Sequence, residues 1–191
     1  MDIMLASSSP RRIALLRKLK IKFKVKSSNF NESHNLKVSP IKLVIYNSLK
    51  KAQSAKRQLK NPALIIGADT IVVLGKEILG KPLTNKKAAE MLRKISGKYV
   101  RVITGITILN TKTNKIYKDY EITYLKIKNL SEDFIQQYVE SGEPLDKAGA
   151  FGIQGKGSYI IQQIRGDYHN VIGLPLKKLK KLINKAKRDS T

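Results

Sequence analysis

The stretch ALIIGADTIVVL, residues 63 to 74, constrains the fold of this chain more than any other. Two apolar, β-branched runs lie on either side of a single carboxylate, Asp69, and such runs predict strands. Burying an unpaired carboxylate costs several kcal/mol, so an acid kept in this position needs a cation, hydrogen bonds or a proton. As a chemical group, Asp69 could hold a divalent cation or deprotonate water. As a structural one, it could sit in a turn between two strands, hydrogen-bonded to Thr70.

Around that stretch, strand and helix patterns interleave. IML at the N-terminus reads as a strand, followed by a serine-rich turn and a helix through about Leu19, and IKFKVK alternates as a half-buried strand does. A long helical pattern runs from about Pro40 to Leu59. NKKAAEMLRKI places Ala88, Met91, Leu92 and Ile95 on one side of a helix, and VRVITGITIL and EITYLKIKNL alternate like an antiparallel pair. SEDFIQQYVESG opens on a capping-box-like Ser131, with Gly142 placed to stop the helix. The pattern predicts a mixed, twisted α/β sheet flanked by helices. No linker, repeat or low-complexity segment divides it, so one globular domain is expected over residues 1–191.

SSSPRR, residues 7 to 12, poses an electrostatic question. Ser9 and Pro10 suit a helix start, which places Arg11 and Arg12 at the end that already carries partial positive charge. Backbone N–H groups, hydroxyls and two guanidinium groups would together bind a phosphate. The plainer alternative is that both arginines point into solvent. LGKP puts Lys81 ahead of Pro82, in extended chain from which its ammonium could reach a phosphate. In EPLDKAGAFGIQGKG, Gly149, Gly152, Gly155 and Gly157 would let backbone approach a ligand closely. Asp146, Lys147 and Gln154 add an acid, a cation and an amide able to read a base edge, although an irregular loop stapled by its own polar groups would use the same residues. The spacing fits neither the P-loop nor the dinucleotide fingerprint. His34 and His169 are too few and too far apart in sequence for a histidine metal cluster and read as surface residues.

The formal charge of +24 would draw polyanions to any fold. It is nevertheless mostly lysine, 30 residues against 8 arginines, scattered among Ile and Asn, as a biased genome composition would produce. A specific nucleic-acid groove is therefore discounted, and the tail LKKLKKLINKAKR reads as an amphipathic helix with Leu176, Leu179, Leu182 and Ile183 recurring at helical spacing. The absence of cysteine excludes disulfides and thiolate metal sites. No apolar run approaches the roughly 18 to 20 residues that span a bilayer, and no signal-peptide pattern precedes the first strand, so a cytoplasmic protein without membrane association is expected.

Taken in order, LASSSPRRIALL, GADTIVVLGKEILGKP, SGKYVRVITG, DKAGAFGIQGKG and GDYHNVIGLPL resemble the motifs of the Maf family of nucleotide pyrophosphatases, a likeness that extends over nearly the whole chain. The resemblance implies an inosine-triphosphatase-like fold with two lobes around a central cleft. It also implies hydrolysis of nucleoside triphosphates to the monophosphate and pyrophosphate with a divalent metal cation, magnesium or manganese. Members are often dimeric, so a homodimer is one expectation. Position by position, Asp69 matches the family's proton-accepting acid, while Arg11, Thr70 and Gln154 match positions associated with substrate choice. Arg12, Glu32, Lys51, Lys81 and Lys147 match polar positions around the phosphates and metal, with Glu32 and Asp69 the expected metal ligands.

One family branch, which prefers a methylated guanosine triphosphate, has Trp in place of Arg11, SDQ for ADT and no IQG. This chain is similar to the other branch, specific for dTTP and UTP, with removal of non-standard pyrimidine nucleotides as a further expectation. It departs from the family pattern at Asn31 in place of an acid, at Val100 in place of a histidine and at Phe151 in place of a tyrosine. The competing classes are a basic nucleic-acid-binding protein and a nucleotide-sensing regulator without turnover. The first predicts strongly salt-dependent polynucleotide affinity, the second tight nucleotide binding without product.

Overall fold

The computed structural model describes residues 1–32, 38–57, 59 and 61–189. His34 lies outside the described residues. Elements follow in the order β1 (Asp2–Leu5), α1 (Pro10–Arg17), β2 (Lys24–Val25), α2 (Pro40–Lys56), β3 (Ala63–Leu74), β4 (Glu77–Leu79), α3 (Asn85–Ile95), β5 (Tyr99–Asn110), β6 (Ile116–Ile127), α4 (Glu132–Glu140), β7 (Ile161–Arg165), α5 (Tyr168–Ile172) and α6 (Leu176–Arg188). Short 3₁₀ turns occupy Glu143–Asp146, Ala148–Ala150 and Gly155–Ile160. The strands are hydrogen-bonded in the order β2-β1-β3-β5-β6-β7, with β4 on β3. β2, β1 and β3 are parallel, whereas β4 on β3 and β7 on β6 are antiparallel. This is the mixed α/β sheet expected from the sequence.

The chain divides into two compact units: Met1–Asp69 with Thr104–Glu121 and Gly173–Thr191, and Thr70–Ile103 with Ile122–Ile172. In the first unit, β1 runs alongside the start of β3 with Ile3 opposite Leu64 and Leu5 opposite Ile66. Ala6, Ala52, Ala55, Ala63, Ile65 and Leu109 form one buried cluster there. The four alanines among them let a helix lie close to the strands. α2 does so at two glycines, where a Cβ at Gly67 would stand 2.0 Å from the Ser48 carbonyl oxygen and one at Gly105 would stand 2.5 Å from that of Val44.

The second unit has its own core, in which Leu92 and Ile95 of α3, Ile135 and Tyr138 of α4, Val100 and Val102 of β5, and Phe151 are buried together. Capping defines the helix starts: Ser39, Thr84 and Ser131 accept hydrogen bonds from the N–H groups of Lys42, Lys87 and Phe134. Gly142, at φ 69°, ends α4 in the left-handed conformation that suits glycine.

Four expectations are corrected. Residues 63–74 form one continuous strand and not two, and Asp69 is not a turn residue, since its charge is met by side chains of α2. IKFKVK contributes only Lys24–Val25, because β2 lies at the sheet edge and pairs only with Met4 and Leu5 of β1. Ser9 occupies the N-cap position of α1 without a side-chain capping bond. The helix itself stops at Arg17, before Lys20 takes a positive φ of 52°. In α6, Leu176, Leu179, Ile183 and Ala186 are buried and the lysines other than half-buried Lys178 are exposed, as the amphipathic pattern predicts. His169 is half-buried beside Asp167.

Candidate active site

The first unit brings together four residues singled out in the sequence, and the reason lies in helical spacing. Asn47 and Lys51 are four residues apart on α2 and therefore share a face. The bare backbone at Gly67 and Gly105 lets that face descend onto β3 and β5. Ser48 locks the contact through a 2.8 Å hydrogen bond between its hydroxyl and that of Thr107.

Asp69 is 2% exposed and Lys51 6% exposed, so their charges meet almost out of water. Lys51 Nζ donates to Asp69 Oδ1 at 2.7 Å, to Glu32 Oε1 at 2.6 Å and to the Ala68 carbonyl at 3.3 Å. These three acceptors match the three protons of an ammonium group. Asn47 Nδ2 donates to the other Asp69 oxygen, Oδ2, at 3.0 Å. The carboxylate is thereby fixed in orientation from both sides, and the compensation that the sequence demanded for a buried acid is supplied.

Arg12 faces the same charges. Its Nε donates to the Gly173 carbonyl at 2.9 Å and an Nη to Ser7 Oγ at 3.4 Å, so this side chain does not simply extend into solvent. Burial lowers the Arg12 guanidinium from its ordinary value, while the charges of Asp69 and Glu32 oppose that shift and Arg11 adds to it. Arg11 and Arg12 occupy the first turn of α1 as expected. The Arg12 guanidinium, a buried ammonium and two carboxylates form a mixed-charge site, which suits a polyanion carrying its own cations.

The donor set can be tested for a metal. Among the described residues no group of three or more His, Asp or Glu side chains is placed to hold an ion. Among the described residues the site therefore offers no protein-only cage. Two carboxylates that would be completed by water and phosphate oxygens fit a hard, magnesium-like cation, which commonly uses one or two carboxylates and the substrate's own oxygens. Asn31, standing where the family pattern has an acid, adds no carboxylate.

The remaining expected residues belong to the second unit. Thr70 follows Asp69 on β3. Lys81 lies just beyond β4, and the adjacent Gly80 carbonyl accepts a 3.0 Å hydrogen bond from the Gly149 N–H. This bond joins the Lys81 segment to the glycine-rich stretch. Gly149 has φ 71°, and a Cβ there would stand 3.0 Å from the Val72 side chain, so glycine is required for both reasons. Lys147 Nζ donates to Asp146 Oδ1 at 2.7 Å and to the Glu143 carbonyl. Gln154 is exposed, directly ahead of Gly155.

Sequence reasoning did not single out Asn47 or Glu143. The signal for Asn47 was present: with Ser48 and Lys51 it interrupts a helix surface otherwise formed by Leu43, Val44, Ala52 and Ala55. Glu143, which accepts bonds from Tyr138, Lys156 and Gly157, gave no such periodic signal.

Comparison with known proteins agrees with this architecture. The family model described as Maf-like protein matches residues 2–186. A dTTP/UTP pyrophosphatase of Dictyoglomus thermophilum is 44% identical over 96% of this chain and 95% of its own length. The protein of that name from Thermoanaerobacter sp. (strain X514) is 46% identical over 94% of this chain and 93% of its own. A third, from Methanococcoides burtonii, is 47% identical over 93% and 91%. Among solved structures, a HAM1 protein from Coxiella burnetii shares the fold at a TM-score of 0.53 and 15% identity, covering 97% of this chain and 99% of that one. With the motifs in order and the family match running almost from end to end, the chain is a member of the Maf family.

Proposed function

We propose that this protein is a nucleoside triphosphate pyrophosphatase acting on dTTP and UTP. The observation that carries the reading is the buried Asp69–Lys51 pair, joined by half-buried Glu32, with Arg12 facing its charges. A protein that only bound polyanions would gain nothing from a carboxylate held beside its ligand. The names of the relatives, at 44–47% identity over most of the chain, support the choice of dTTP and UTP.

In this reading Asp69 accepts the proton of a water that attacks the α-phosphorus. The bond from that phosphorus to the oxygen bridging to the β-phosphate breaks, and the monophosphate and pyrophosphate leave. Lys51 and Asn47 hold Asp69 in the orientation that this transfer needs. Arg11 and Arg12 stabilise charge on the phosphates. A divalent cation, magnesium or manganese, would be held by Asp69 and Glu32 and would neutralise the triphosphate oxygens. Lys81 and Lys147 are assigned to phosphate contacts, and Thr70 and Gln154 to base selection, because their positions match the family's motifs. We place the reaction in the cytoplasm, where these nucleotides are made and consumed. No helix among the described residues is long and apolar enough to cross a membrane.

The test is pyrophosphate release from dTTP, UTP, CTP, ATP and dGTP with magnesium or manganese and with chelator. Release from dTTP and UTP that requires the metal is the expected result. No release from any of them, together with salt-dependent binding of polynucleotides, would overturn the proposal.

A further inference from the structure

We infer that Glu143 is a positioning residue: it fixes the loop that carries Lys147 and Gln154, and through that loop it sets base discrimination. This deepens the pyrophosphatase reading and rests on it for its enzymatic part. Glu143 opens the turn Glu143–Asp146 that follows α4. Its Oε1 accepts from the Tyr138 hydroxyl at 3.0 Å and from the Gly157 N–H at 3.1 Å, and its Oε2 accepts from the Lys156 N–H at 3.0 Å. Its backbone carbonyl accepts from Lys147 Nζ. One residue thus holds both ends of the segment from Lys147 to Gly157.

The surroundings are shaped around this carboxylate. Gly155 has φ 73°, and a Cβ there would stand 2.8 Å from Glu143 Oε2. A Cβ at Gly157 would stand 2.4 Å from the Tyr138 hydroxyl oxygen. Backbone therefore passes against the carboxylate and the phenol at positions where only glycine fits, and Gln154 is the side chain immediately before that passage. Tyr138 is itself buried, and burial together with the neighbouring Glu143 charge raises its pKa, so it remains a hydroxyl donor. Two backbone N–H donors and one phenol converge on a single acceptor group, a stronger constraint than a loop held by packing alone.

A residue that only stabilises the fold would, on substitution, lower the rate for every nucleotide alike. A residue that positions Gln154 would act on selectivity. Glu143→Ala is expected to raise KM for dTTP on the order of 10- to 100-fold, the upper figure being what a misplacement of about 1 Å can cost. It should also narrow the dTTP to CTP ratio of kcat/KM to that of Gln154→Ala, and the double variant should discriminate no worse than either single one. Glu143→Gln keeps one acceptor oxygen and should recover part of the ratio, which also covers the case in which the alanine variant does not fold. Retention of the wild-type ratio by Glu143→Ala, or by Glu143→Gln if only that variant folds, while Gln154→Ala loses it, would overturn the inference. Amide hydrogen exchange at Lys156 and Gly157 reads the positioning without any substrate. Faster exchange at these two amides in the Glu143 variant supports it, and unchanged exchange overturns it, even if the wild-type protein releases no pyrophosphate and the proposed function has failed.

Discussion

Replacing Lys51 with methionine removes the charge at the centre of the site while keeping an unbranched side chain of similar length. Three hydrogen bonds are lost, to Asp69, Glu32 and the Ala68 carbonyl. Glu32 retains 29% exposure of its side chain and can be resolvated, whereas the Asp69 side chain, at 3%, cannot. Breaking a buried pair by removing one partner costs about 3–5 kcal/mol. Arg12 still faces Asp69 and offsets part of this, so the lower end of that range is expected. For a chain of this size each kcal/mol shifts Tm by about 2–4 °C, which gives a fall of roughly 6–12 °C for a loss of about 3 kcal/mol.

The assay is thermal unfolding of the wild type, Lys51→Met, Asp69→Asn and the double variant. In the double variant the stranded charge is gone, so its Tm should lie above that of Lys51→Met, with a coupling of about 1–3 kcal/mol. A Lys51→Met protein that melts within about 2 °C of the wild type, or a double variant in which the two losses simply add, would refute the assignment of a buried, mutually dependent ion pair.

Gly67→Ala should cost at least about 1–3 kcal/mol, because the new methyl meets helix backbone and not a movable side chain. Its activity should fall further than its melting temperature implies, since Asn47 and Lys51 move with α2; unchanged dTTP hydrolysis would contradict the packing argument. Gln154→Ala should narrow the dTTP to CTP ratio more than it lowers kcat, measured by pyrophosphate release from each nucleotide. Tyr117 donates to Asp189 Oδ2 at 2.7 Å and its pKa is pushed up to about 12, first by burial and then by that bond. A pKa raised in the folded state contributes stability that is present below the unfolded value of about 10 and is lost as pH rises toward 12. Tyr117→Phe should therefore flatten the decline in Tm between about pH 10 and 12, measured by melts across that range.

Much of this was legible in the residues, for identifiable reasons. β-branched runs and amphipathic segments are local signals, so β5, β6, α3, α4 and α6 were readable from short windows, whereas the carboxylate at Asp69 made the single strand β3 read as two. The demand for a partner at Asp69 followed from desolvation alone. Which partner answered it could not be read locally, because Lys51 and Asn47 are 18 and 22 residues away and meet Asp69 only when α2 settles onto Gly67 and Gly105. The same limit applies to Glu143: its acceptors act on N–H groups of residues 156 and 157, and backbone donors carry no sequence signature. The strand expected in IKFKVK failed for a related reason, since alternation records which face is apolar but not how long a neighbouring strand is available for pairing.

The role of Asp69 can be read from one comparison, steady-state pyrophosphate release and equilibrium dTTP binding by the wild type and Asp69→Asn under the same metal concentration. Asparagine keeps the shape of the side chain and can still contact Lys51, but it cannot accept the proton of the attacking water. Turnover should fall by about 10²–10⁴-fold while dTTP affinity changes by less than about tenfold. Near-normal turnover by Asp69→Asn would contradict the assignment of this carboxylate as the group that drives hydrolysis.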